Sequence, residues 1–312
     1  MIEEPHKRAE DFVTVEYKYY ICDVFTNRMF SGNQLVVFPN AEGLSDSQMQ
    51  LLAKEFNFSE ATFVFPAEYG NTRKVRIFTP STEVPFAGHP NIGTAFVLVK
   101  QGLFGDINHG AKIVFEEEAG LVPIKILREN SGDIWCELAA PQELSIGATV
   151  DETLVASVLS LDISEILTIT HPPQVASVGL PFLFVEVSSA AVLSRAQINT
   201  QLLETMLKEN HISYIHIYCR NVDNFDIKAR MFAPLDGVFE DPATGSANCA
   251  LVALLTHFDS DSNLNKDWLI SQGTEVGRPS VLHGRTEKIG GKVSGVWIGG
   301  HSVLVSEGIL KL

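Results

Sequence analysis

Cysteine is scarce in this chain. Cys22, Cys136, Cys219 and Cys249 are spread over 312 residues with no CxxC pair. That pattern indicates neither a zinc site nor a disulfide framework. Basic side chains are also few: 23 Lys and Arg stand against 38 Asp and Glu, a formal net charge of −15. Nucleic-acid binders need basic surface to displace counterions, so the charge argues against that class. Docking on anionic membranes is disfavoured on the same ground. A small anionic substrate stays compatible, because local dipoles can outweigh the global balance. No apolar run approaches a membrane span, "ALVALL" (250–255) being among the greasiest stretches. The charged start, "MIEEPHKRAEDF", lacks the apolar stretch of a signal peptide. A soluble, cytoplasmic protein is the expectation.

Cofactor signatures are missing too. No GxGxxG follows a strand, so a dinucleotide cofactor has no support. HExxH and GxSxG are absent. "GHPNIGT" (88–94) has the glycine spacing of a phosphate loop, but Thr94 stands where the lysine should be. The nine histidines are scattered, and His211 and His216 miss the i,i+4 spacing of a shared helix face. Neither a metal nor a cofactor is expected.

The composition that remains is globular: 45% apolar and 20% charged. The length suits roughly two domains, and an internal repeat supports that division. "KVRIFTP" (74–80) matches "KARMFAP" (228–234) at a separation of 154 residues. The first copy continues "STEVPFAGHPNIGTAFVLV" and the second "LDGVFEDPATGSANCALVALL". Each reads as a strand, a Pro-containing loop, a glycine turn and an apolar helix-like run. Gly88 and Gly245 correspond if the second copy carries three extra residues. Two similar halves fit this better than a short-period solenoid.

Alternation and β-propensity predict strands at 17–24, 34–38, 61–65, 74–78, 121–127, 182–187, 213–219, 227–232 and 292–298. "SDSQMQLLAKEF" (45–56) has an N-cap serine and helical apolar spacing, and "NTQLLETMLKEN" (199–210) looks like its counterpart. Helices separated by several strands argue an α+β fold over βαβ alternation. The linker falls near 139–152, giving an N-terminal half over 17–140, which the C-terminal strand could complete, and a C-terminal half over 141–312.

Two loop–helix junctions hold the candidate chemistry, "FAGHPNIG" and "EDPATGSAN". The first turn of a helix has unpaired N–H groups and partial positive charge. Gly245 would admit a ligand to the backbone, and N–H groups around Ser246 would suit a carboxylate. The plainer reading is that Thr244 or Ser246 caps the helix. His89 before a proline has a structural reading beside its chemical one, and Asp241 before Pro242 could start a turn. Matched junctions from similar halves would face each other across a pseudo-twofold cleft, the preferred place for small-molecule sites. His89 and Asp241 would then converge on one ligand. Glu60, at the start of strand 61–65, is an exposed strand-start residue or a partner for a nearby N–H on one reading. On the other it faces the cleft, where an apolar enclosure would let it accept and donate a proton near neutrality.

Five motifs in order carry a family resemblance: "DVFTNRMFSGNQLVVF" (23–38), "NFSEATFVF" (57–65), "FTPSTEVPFAGHPNIGTA" (78–95), "EDPATGSAN" (240–248) and "QGTEVGRPS" (272–280). At these residues the chain resembles the phenazine-biosynthesis PhzF-like isomerase family, which shares the diaminopimelate epimerase fold. The resemblance covers nearly everything after Tyr19, and residues 1–16 look like an extension without a counterpart. It implies two pseudo-symmetric domains, each a sheet rolled into a barrel around a central helix, with the active cleft between them. It also implies a homodimer and cofactor-independent isomerisation of a small carboxylate-bearing substrate by proton transfer. The acid/base glutamate of the family's "SE-T" motif matches Glu60. The "GHP" histidine matches His89 and the "DP-TGS" aspartate and serine match Asp241 and Ser246. Asn33 matches the asparagine of the "GN" motif and, with Gly88, Gly245 and Ser246, completes the implied substrate-binding set. One departure is visible: the family usually has proline after that asparagine, and here it is Gln34.

The same fold hosts racemases that use one cysteine from each half. Ala87, Gly88 and His89 offer none at the first junction, and Cys249 lies past the second, as a small core residue. A two-thiol racemase is therefore disfavoured. A single carboxyl group can still move a proton between positions on one face of a substrate. Epimerisation or dehydration in the same cleft, and a non-catalytic small-ligand-binding protein, are the alternative readings.

Overall fold

Two segments are apolar on every side, Gly88–Lys100 and Gly245–Phe258, and helices of that kind must be enclosed. Both are. The first is buried over 88–99 and the second over 247–256. The computed structural model describes residues 15–105, 107, 109–210 and 212–312. The N-terminal extension up to residue 14, and His211, lie outside the described residues.

The N-terminal half runs β1 (Glu16–Val24), β2 (Asn33–Phe38), α1 (Asp46–Phe56), β3 (Glu60–Phe65), β4 (Arg73–Phe78), β5 (Glu83–Val84), α2 (Gly88–Lys100), β6 (Ala111–Glu117), β7 (Gly120–Arg128) and β8 (Ile134–Ala139). The chain continues through β9 (Ser145–Thr149), α3 (Glu152–Leu159), β10 (Ile166–Leu167), β11 (Gln174–Ser177), β12 (Pro181–Val187), α4 (Ala190–Arg195), α5 (Thr200–Glu209), β13 (Ile215–Val222) and β14 (Phe225–Ala233). It ends with β15 (Val238–Asp241), α6 (Gly245–Phe258), β16 (Leu264–Gln272), β17 (Ser280–Ile289) and the long β18 (Lys292–Lys311). This is the expected α+β architecture.

Pairing closes the first sheet into a ring. Its order is β1, β2, β3, β4, β6, β7, β8, β18 and back to β1. The β2–β3 and β4–β6 pairs are parallel and the rest antiparallel. The ring surrounds α2. The second sheet runs β11, β12, β13, β14, β16, β17, β18 around α6, with β12–β13 and β14–β16 parallel. Each ring is completed by chain that leaves the other. The tail of β18 bridges β8 to β1. The chain leaving β8 bridges β18 to β11: the Ala140 N–H donates to the Val296 carbonyl at 2.9 Å and the Gln142 N–H to Val178 at 3.2 Å, before β9 pairs with β11. The stretch 139–152, read above as a linker, therefore contributes pairing to the second sheet.

The repeat survives in the packing. Thr62 lies opposite Ile77 in the first half, and His216, shifted by the same 154 residues, lies opposite Met231 in the second. In α1, Ser45 and Gln48 form a capping box, and Met49, Leu52 and Ala53 are buried. In α5, Asn199 caps the helix, and the equivalent Leu203, Met206 and Leu207 are buried. These stripes cover the outside of the sheets, while α2 and α6 fill the inside.

Candidate active site

The first turns of α2 and α6 touch. A Cβ on Gly88 would sit 2.9 Å from the Ser246 nitrogen and 3.0 Å from Gly245 Cα, and a Cβ on Gly245 would sit 3.3 Å from Gly88 Cα. Only glycine leaves room for this approach. Neither tip is capped by a side chain: the N-cap residues are Ala87 and Thr244, and neither makes a side-chain cap bond. The Thr244 hydroxyl instead donates to Asp241 Oδ2 at 2.6 Å, so Thr244 holds the N-cap position without capping the helix through its side chain. Uncapped first-turn N–H groups from both helices are thus left at one place.

Asp241 ends β15 just before that tip. Besides Thr244, it accepts from Ser59 Oγ at 2.7 Å and Asn33 Nδ2 at 2.9 Å. Gln272, the last residue of β16, locks the turn between Asp241 and α6. Its Nε2 donates to the Asp241 carbonyl at 2.8 Å, and its Oε1 accepts from Asn248 Nδ2 at 2.7 Å and the Thr244 N–H at 3.2 Å. Arg278 pairs with Asp23 at 2.6 Å and donates to the carbonyls of Ser31 and Gly32 at 2.8 Å. This clamp fixes the chain entering Asn33. Gln34, where the family has proline, sits in β2 opposite Asp23, and Asn33 still reaches Asp241.

Glu60 starts β3. Its Oε2 lies 3.5 Å from His89 Nδ1. Although 19% of the Glu60 side chain is exposed, Oε2 itself is buried without a hydrogen-bond partner, as is His89 Nε2. Both residues line a cavity of about 150 Å³ at the helix tips, with Phe86, Leu180, Phe182 and Met231 among its apolar walls. Burial pushes the His89 imidazole down to about 3. The ring is therefore neutral at neutral pH, and its contact with Glu60 is not an ion pair. Asn33 Nδ2, a donor, lies 3.2 Å from His89 Nδ1. The two protons of that amide go to Asp241 Oδ1 and the Ala243 carbonyl, each at 2.9 Å, so the longer contact packs against the imidazole without fixing its tautomer.

Burial raises the Glu60 carboxyl well above its ordinary value, and the charges of Asp241 and Asp236 raise it further. Burial also raises Asp241, but hydrogen bonds from Thr244, Ser59 and Asn33 oppose the shift. The two carboxyl groups interact and so titrate as a pair. Asp241, with its three donors, holds the negative charge. Glu60, with none at Oε2, holds the proton.

Of the residues singled out above, Glu60, Gly88, His89, Asp241, Gly245 and Ser246 line the cavity. Asn33 lies one layer behind, tying Asp241 and the Ala243 carbonyl to His89. Ser59, Gln272 and Arg278 were not singled out, although all three fall within the quoted motifs. Tyr214 and Asp236, which also line the cavity, carried no motif signal. Cys249 is buried in α6 with its thiol pushed up to about 12. Among the described residues no group of three or more His, Cys, Asp or Glu is arranged to hold a metal ion, and no helix is long and apolar enough to cross a membrane.

Residues 22–308 match the family described as phenazine biosynthesis-like protein, PhzC-PhzF. The chain is 34% identical over 301 residues to an uncharacterized isomerase of Mesorhizobium japonicum, covering 94% of this chain and 98% of that one. It is 32% identical over 292 residues to the trans-2,3-dihydro-3-hydroxyanthranilate isomerase of Pseudomonas aeruginosa, with coverage of 94% and 98%. Its fold superposes on the PhzF-family phenazine biosynthesis protein of Bacillus anthracis with a TM-score of 0.84 at 24% identity, over 95% of this chain and 99% of that one.

Proposed function

The chain belongs to the PhzC-PhzF phenazine biosynthesis-like family and is an isomerase of that family acting on a small molecule; on this premise we propose that Glu60 moves a proton between two carbons of a carboxylate-bearing substrate. The observation that carries the reading is that Glu60 and His89, whose Oε2 and Nε2 are buried without partners, line one small cavity beside two uncapped helix tips. The substrate carboxylate binds the first-turn N–H groups of Gly245 and Ser246. The neutral His89 donates from Nε2 to a heteroatom next to the reacting carbon and polarises it. Asp241 stays ionised and keeps the proton of the pair on Glu60. Glu60 gives its proton to one carbon and takes one back from another on the same face, which restores its acid form. One carboxyl cycling between acid and base closes the proton balance without a second residue.

Inversion needs a second acid/base group from the other half. The equivalent position there holds Tyr214, and Ala87–His89 offers no thiol. The site lies between a half over 17–140, completed by the C-terminal strand, and a half over 141–312, and the working unit is a homodimer. The compound named for the Pseudomonas relative, trans-2,3-dihydro-3-hydroxyanthranilate, is the first substrate to try. Turnover in D₂O should place deuterium at the accepting carbon without inverting a stereocentre. Glu60→Gln should lower turnover by about 10²–10⁴-fold at an unchanged thermal midpoint. Wild-type rates in that variant would reject the mechanism.

A further inference from the structure

The second half carries three residues that the first lacks, between "KARMFAP" and the "EDP" turn. They shape a 3₁₀ turn, Pro234–Asp236, closed by Gly237 at φ +80°. The turn sets Asp236 and Val238 into the cavity wall. Beside them is Tyr214, which occupies in the second half the position that Glu60 occupies in the first, shifted by 154 residues. The Tyr214 hydroxyl donates to Asp236 Oδ2 at 2.5 Å.

With its proton committed to Asp236, the Tyr214 oxygen offers only lone pairs to the cavity, and Asp236 retains Oδ1. This wall therefore presents acceptors, whereas the helix tips present donors. No Lys or Arg lines the cavity among the described residues. A simple carboxylic acid would satisfy the tips and leave Asp236 without a counter-ion. A ligand that also carried an ammonium group would satisfy both ends.

We propose that the Tyr214–Asp236 pair is the specificity-determining element of the cavity, receiving a protonated amine on the ligand and so selecting amino acids over simple carboxylic acids. The proposal rests on the carboxylate subsite proposed above. Its test is calorimetric binding of three probes, 2-aminocyclohexanecarboxylate, cyclohexanecarboxylate and cyclohexylamine, to the full-length wild type, Asp236→Asn and Tyr214→Phe. The wild type should bind the amino acid about 10- to 100-fold more tightly than the simple acid, the range of one hydrogen bond to a charged group. Asp236→Asn should bring that ratio near one at an unchanged thermal midpoint, and Tyr214→Phe should lower it less. A wild-type ratio near one, a ratio unchanged in Asp236→Asn, or binding of no probe would overturn the proposal. Cyclohexylamine binding as tightly as the amino acid would instead remove the carboxylate subsite while leaving the role of Asp236 standing. Glu60→Gln should preserve the ratio, so a failed proton-transfer mechanism would be seen separately.

Discussion

Glu60 and Tyr214 occupy the same place at the mouths of equivalent strands, yet one is a buried carboxyl without a partner at Oε2 and the other a phenol locked to Asp236. The same divergence recurs around the cavity. His89 stands where the second half has Ser246, and Asp241 where the first half has Val84. Behind the cavity the halves agree. Arg76 clamps Glu83 as Arg230 clamps Glu240, each through two bonds. Asn91 donates to the Ala87 carbonyl as Asn248 donates to Thr244. Positions that hold the backbone must satisfy the same hydrogen bonds in both halves, so their residues recur. Positions facing the ligand answer to one asymmetric molecule, so theirs differ.

The largest test of this comparison is at the paired strand mouths. Glu60→Gln should lower turnover by about 10²–10⁴-fold, the usual contribution of general acid–base catalysis, while Tyr214→Phe should leave kcat within a few-fold. Equal losses in the two variants would break the assigned division of labour.

The paired clamps should differ in stability. Arg230 and Glu240 are almost wholly buried, at 9% and 6% exposure, and Arg230 also donates to the Leu193 and Ala196 carbonyls. Removing one partner of a buried pair costs about 3–5 kcal/mol, which is the expectation for Arg230→Ala in urea unfolding. The Arg76 clamp is more open, at 21% and 31%, and Arg76→Ala should cost about 1 kcal/mol. The glycine contact sits between these values. Gly88→Ala forces a Cβ against the opposing helix tip and should cost about 1–3 kcal/mol, with a larger loss of ligand binding than of stability.

The smallest effect compares Glu117 with Gln272, the final residues of β6 and β16. Gln272 is bonded at both ends, whereas both Glu117 oxygens are buried without a partner. Burial pushes Glu117 up to about 8, against an opposing contact with Asn91. Its unfolded value is about 4.3. Between those values the folded chain holds a proton that the unfolded chain releases, so this site's contribution to stability falls as pH rises from about 4.3 to 8. Glu117→Gln should raise the thermal midpoint relative to wild type at pH 8, with the gain shrinking at pH 5. A gain independent of pH would show that Glu117 does not titrate in this window.

Much of this was legible in the chain. The motif order identified the family, and the two-copy pattern around "KVRIFTP" and "KARMFAP" located both helix tips. The stripe Met49, Leu52, Ala53 and its twin in α5 followed from helical spacing. Less legible were contacts that depend on partners far away in the chain. Gln272 and Arg278 lie in a quoted motif, but nothing local says that one holds Asp241 and the other the turn before Asn33. The strands β16 and β17 were missed because charged residues such as Lys266, Arg285 and Lys288 interrupt their apolar pattern. Asn33 was expected at the ligand, and only the packing sets it one layer behind.

The order of residues alone determined the α+β frame, the doubled plan and the chemical groups available, because periodicity, turn residues and helix tips are local properties. Tertiary structure decided which carboxyl keeps the proton. That choice depends on how many donors reach each oxygen and how much water is excluded, and for Asp241 those donors, Asn33, Ser59 and Thr244, come from three separate stretches of the chain.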